Sequence, residues 1–166
     1  MKAASRLADG LDCANEFLGR TAAWLTLALV LVQFVVVGMR YIFGIGSIVM
    51  QESVIYLHGV AFMTAAAYTL KHDDHVRIDI FRNDMTERRK AAVDLAGHLL
   101  LLLPFCAVVL FFSQNYVALS WAVLEGSRET SGIHGIYLLK SVILLFAVQM
   151  AAQSVSGVIR ILTAEK

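Results

Sequence analysis

The chain has little of what soluble domains and enzyme sites are built from. Charged residues fill 16% of its 166 positions, against roughly a quarter in an average soluble domain. Mean hydropathy is +0.69, so a water-soluble globular domain is excluded. The two cysteines, Cys13 and Cys106, lie in a polar segment and in the middle of an apolar run, which rules out a disulfide framework or a cysteine metal motif. No glycine-rich phosphate loop occurs, and no Ser/His/Asp or Cys/His set has a workable placement, so no catalytic residues and no enzyme activity are expected. The basic residues are interleaved with acids, which excludes a nucleic-acid face. The first apolar run starts only after Arg20, behind Asp9, Asp12 and Glu16, and no small-residue cleavage site closes it. A cleaved signal peptide is therefore not expected.

What is present is four apolar blocks arranged around one charged segment, residues 71–94, KHDDHVRIDIFRNDMTERRKAAVD. The expected fold is an all-α integral membrane protein, one membrane domain over residues 1–166, with spans at about 21–43, 47–70, 95–121 and 133–159. Residues 21–39 carry no charge, and 19 residues of helix rise roughly 28 Å, close to the hydrocarbon thickness. Arg40-Tyr41 closes that span with a snorkelling cation and an interfacial aromatic. Gly44 to Ser47 reads as a tight turn, with Ser47 the N-cap of the second helix. Glu52 falls in the early turns of that helix, where the positive helix end favours a carboxylate. Its face Glu52, Tyr56, Gly59, Met63, Ala66 mixes polar and small residues and is expected to look at protein. Thr86 is a candidate N-cap for a helix resuming at Glu87, and Pro104 is expected to kink the third span and free a backbone carbonyl.

Residues 2–20 read as a separate short amphipathic helix, with Leu7, Leu11, Ala14 and Leu18 as its apolar face. It is either a solvated lead-in or a helix lying in the membrane interface. In the fourth span Gln149, Gln153, Ser156 and Arg160 recur at i, i+4, i+7, i+11, a polar stripe that must face the bundle or a partner. Gln33, Glu52, Lys140 and that stripe are groups that four helices by themselves are not expected to satisfy. The N-terminal segment, the central loop and the tail hold Lys2, Arg6, Arg20, Lys71, Arg77, Arg82, Arg88, Arg89, Lys90, Arg160 and Lys166. Only Arg40 and Arg128 lie on the other side, which predicts both termini and the charged loop in the cytoplasm.

Three chemical readings fail on these residues. His72, Asp73, Asp74, His75 and Asp79 resemble a zinc set, but read more simply as a solvated, self-neutralising charge cluster, so no metal is expected. His58 and His98 fall in opposite leaflets and cannot ligate one haem iron, so no cofactor is expected. A small proton-coupled exporter needs a carboxylate deep in the membrane; the first span has none, and Glu52 sits near a helix end.

Three local sequences, in order, resemble one family. Arg40-Tyr41-Ile42-Phe43-Gly44 closes the first span, Gln51-Glu52 opens the second, and His75-Val76-Arg77-Ile78-Asp79 follows it. Ser120-Trp121 with Glu125 and Ser127, then Lys140, fit the same pattern. Over about residues 15–160 the chain resembles the small membrane subunit of tripartite ATP-independent periplasmic (TRAP) transporters, with Gln51 standing where the family often has a second acid. The resemblance implies a sodium-coupled uptake system for an organic anion in the bacterial inner membrane. Its partners would be a large multispanning permease subunit and a periplasmic substrate-binding protein. Arg40, Glu52, His75, Arg77, Asp79, Glu125, Lys140, Gln149 and Gln153 are the candidate motif or subunit-interface residues. The alternative is a four-helix membrane anchor of a redox complex, which a haem absorbance spectrum would reveal.

Overall fold

The computed structural model describes residues 2–75 and 85–164. Its helices are α1 (Lys2–Ile42), α2 (Ile48–Lys71), α3 (Glu87–Ala96), α4 (Leu103–Ala122) and α5 (Ile136–Ala164), with a π-helical segment, Gly97–Leu102, joining α3 to α4. Four helical stretches are long and apolar enough to cross a membrane: Ser5–Ile42, Ile48–Lys71, Glu87–Ala122 and Ile136–Thr163.

Local chemistry sets most boundaries. Gly44 takes a φ of 64°, the left-handed conformation that turns the chain after α1. Ser47 then caps α2 by accepting from the Met50 N–H at 3.4 Å. Thr86 holds the extended N-cap conformation before α3, without a side-chain cap bond. Pro104 has no N–H to give to the turn before it, and its ring crowds that turn. The helix answers upstream with the wider Gly97–Leu102 segment, where the Leu103 N–H reaches the His98 carbonyl.

The segment at residues 2–20 is not a separate helix. It is the first half of the 41-residue α1 and runs without a break into the span. The face it buries is also not the leucine face. Ala8, Asp12, Asn15, Gly19 and Ala22 are buried, while Leu7 is 55% exposed and Ala14 is exposed. The polar stripe is buried because α5 and α2 offer it complementary charges.

α5 is the hub. It packs on α1, α2 and α4, whereas α4 leans on α5 and not on α1 or α2. The contacts use small side chains: Ala61, Thr64 and Ala67 of α2, and Ala147, Ser154 and Ser156 of α5, are all buried. That composition allows close backbone approach where lipid supplies no hydrophobic drive. Gly19 is the tightest case, since a Cβ there would run into the Tyr68 ring. The buried cluster Ala67, Cys106, Met150, with Phe146 and Leu102 against it, ties α2, α4 and α5 together. A groove of about 420 Å³ runs between α2 and α5, with Ile55, His58, Met63, Leu139 and Lys140 along it and Tyr116 of α4 at its edge.

Candidate functional site

The polar side chains of the helices gather into clamps at the two ends of the bundle. At the end that carries the termini, Asp12 of α1 accepts from three residues of α5. Gln153 Nε2 donates at 3.1 Å, Ser156 Oγ at 2.7 Å and Arg160 Nε at 2.8 Å, with Arg160 Nη2 also in contact. Asn15 Nδ2 donates to Gln153 Oε1 at 2.8 Å, and Arg160 Nη2 reaches Asp9 at 3.1 Å. Asp12, Asn15 and Gln153 are 7%, 2% and 5% exposed. Burial by itself would push a carboxylate toward neutrality, and the Arg160 guanidinium with two further donors offsets that penalty.

One turn further along α1, Glu16 ties α1 to the end of α2. It accepts from Lys71 Nζ at 2.6 Å and Arg20 Nε at 3.1 Å, and His72 Nε2 lies at 2.9 Å. The His72 ring also packs on Tyr68, 4.3 Å between centroids. His72, expected in a solvated cluster, is thus engaged by Glu16 of α1 together with Lys71. His98, in the π-helical segment, sets Nδ1 3.1 Å from Ser154 Oγ and fixes that segment to α5.

At the opposite end two carboxylates organise the link between α4 and α5. Glu52 of α2 accepts from Ser127 Oγ and from the Ile133 backbone N–H, the latter at 2.6 Å. Its partner is therefore the link, not the start of its own helix. Glu125 accepts from Ser120 Oγ at 2.7 Å and pairs with Lys140, whose Nζ lies 4.0 Å from the centre of the Tyr116 ring. The Lys140 hydrogen bond, then the Ser120 hydroxyl, hold the Glu125 carboxyl below its ordinary 4.5. Trp121 Nε1 donates to Ser141 Oγ at 2.8 Å and closes the same corner.

Glu52, Glu125 and Lys140 are thereby brought together by one loop, and Gln153 enters the terminal clamp. Gln149 turns inward too, donating Nε2 to the Met63 carbonyl of α2. The stripe on α5 faces the bundle, and the groups expected to exceed what four helices can satisfy are largely satisfied by these four. Arg40 stands exposed in the last turn of α1, and His75 is exposed past the end of α2. Arg77 and Asp79 lie outside the described residues, as does any contact of theirs. Sequence reasoning missed Asp12, Asn15 and Glu16. Their signal was a second polar stripe, on α1, whose acids complement the cations of α5 and of the α2 end. His58 lines the α2–α5 groove with Lys140, while His98 bonds to Ser154, fourteen residues further along α5. That is about 21 Å of helix rise, too far for one haem iron.

These hydrogen bonds and ion pairs join helices to one another and to the link between α4 and α5. A family model described as the tripartite ATP-independent periplasmic transporters, DctQ component, matches residues 29–164. No curated protein and no solved structure matches the chain. The matched stretch holds all of α2 to α5, including Glu52, Glu125, Lys140 and the α5 side of the terminal clamp, while Asp12, Asn15 and Glu16 precede it. Its four membrane-length helices accord with that match, and the chain belongs to the DctQ family, the small permease component of TRAP transporters.

Proposed function

We propose that this chain is the non-catalytic small subunit of a sodium-coupled TRAP system for uptake of an organic anion, most simply a carboxylate. In this reading it sits in the bacterial inner membrane with both termini and the 71–94 loop in the cytoplasm. It docks on the large permease subunit as a fixed scaffold, while a periplasmic protein delivers substrate. One observation carries the scaffold role. The buried polar groups Asp12, Asn15, Gln153 and Ser156, and the carboxylates Glu52 and Glu125, end on one another's helices and link rather than lining a passage. A helix framework fixed at both ends suits a part that stays still while another moves. The eleven cations on the terminal side against two on the other support the orientation.

The test is reconstitution of the large subunit and the binding protein with and without this chain. Uptake is expected only when the chain is present. With Asp12→Ala the rate should fall, and the order in which competing substrates inhibit should match wild type. A changed order of preference would mean that this chain contacts the substrate, and the scaffold role would be wrong.

A further inference from the structure

The inward stripe of α1 is buried along only half its length. Ala8, Asp12, Asn15, Gly19 and Ala22 are covered, but the same stripe continues through Gln33, Val37 and Arg40, and there it is open. The hydrogen bonds that join α1 to α5 come from residues 8–15, so α5 leaves the far half of the stripe uncovered. What remains is a groove of about 440 Å³ between α1 and α2, lined by Gln33, Val37, Arg40, Gln51, Val54 and Ile55. Gln33 and Gln51 make no hydrogen bond and Arg40 no ion pair among the described residues. Tyr56 Oη of α2 also lacks a partner among the described residues, but it is buried inside the bundle, whereas Gln33, Gln51 and Arg40 lie open.

Depth decides what can fill the groove. Arg40 and Tyr41 mark the membrane boundary, and Gln33 lies seven residues earlier, about 10 Å further in along the helix. A lipid headgroup can meet Arg40 and Gln51 at the rim. At the depth of Gln33 a lipid offers only acyl chain, which neither donates nor accepts. A helix of another protein offers side-chain hydroxyls, amides and carbonyls at that depth. The short side chains of Val37 and Val54 let such a helix lie close.

We propose that the α1–α2 groove seats a transmembrane helix of the large permease subunit, with Gln33 hydrogen-bonded to a polar group of that helix inside the bilayer. This rests on the docking reading above and adds the face. Arg40 then meets an acidic side chain or a helix C-terminus of the partner at the boundary.

The experiment places a photo-crosslinking amino acid at Val37, and separately at Phe112 on the exposed face of α4, in the complex assembled with the large subunit. Position 37 should give an adduct with the large subunit, and position 112 should not. Gln33→Leu should weaken retention of the large subunit about threefold, the ratio that one interhelical hydrogen bond of about 0.6 kcal/mol represents. The thermal stability of the isolated variant chain should stay at the wild-type value, because Gln33 has no partner among the described residues. Adducts from 37 with lipid only, or with a second copy of this chain, would overturn the assignment. Adducts from 112 alone would keep the docking reading and discard this face. If the wild-type chain retains no large subunit at all, the docking reading itself fails.

Discussion

Glu125 shows how one residue sets the far end of the molecule. It lies in the link after α4, yet it takes the Lys140 ammonium from α5 and the Ser120 hydroxyl from α4, and so joins three segments. Both contacts favour the ionised carboxylate, and its pKa drops below 4.5 in the folded chain. A carboxyl depressed in this way stabilises the fold fully above its unfolded value. That contribution is lost as pH falls through the lower folded-state value. The thermal stability of wild type in detergent should therefore exceed that of Glu125→Gln by a constant margin at neutral pH. The margin should shrink only on acidification below 4.5. A margin that closes near neutrality would assign the effect to another group. Partial exposure of the pair keeps the margin small.

At the scale of elements, the first half of α1 behaves as part of the bundle because its acids are matched. Asp12 is satisfied by Gln153, Ser156 and Arg160, so removing it leaves three donors of α5 without their acceptor. Asp12→Ala should destabilise the chain by roughly 2 kcal/mol, the range for a hydrogen-bonded buried charge whose partner is half exposed. A thermal double-mutant cycle with Gln153→Leu should be clearly non-additive, since the two side chains share one network. Additive losses would mean that α1 docks through Ala8, Gly19 and Ala22 alone. α4 stands at the other extreme. Of the other spans its backbone comes close only to α5, and a π-helical segment fixed by His98 to Ser154 replaces the turn that Pro104 would have broken.

At the scale of the molecule, the clamps lie at opposite ends of α5 and the middle is joined by small residues. The proposed orientation predicts opposite labelling of two single cysteines, in a background without Cys13 and Cys106. On intact cells a membrane-impermeant thiol reagent should modify Ser131→Cys, which lies exposed in the α4–α5 link. It should leave Asn83→Cys untouched; that position lies outside the described residues. Labelling at 83 would reverse the topology.

The four membrane-length helices and the Ser47 cap were legible in the sequence, because they follow from local composition. A disturbed helix near Pro104 was expected as a kink and takes the form of the Gly97–Leu102 π-helical segment. The family was legible from the resemblance of its motifs. An uncharged run of about 20 residues can satisfy its backbone in lipid only as a helix. A proline inside a helix removes a backbone hydrogen bond and crowds the preceding turn. The α5 stripe was legible as a stripe, but its direction was not. Periodicity places residues on a face without saying which neighbour meets that face. Only the tertiary structure decided that Asp12 and Asn15 sit opposite Gln153 and Ser156, 138 to 144 positions away in the chain. It likewise left Leu7 exposed and Leu11 and Leu18 half-buried, beside the buried polar stripe rather than in its place. A half-buried leucine loses only part of its burial, whereas a buried carboxylate must find its cation, and for Asp12 that cation, Arg160, comes from the far end of the sequence.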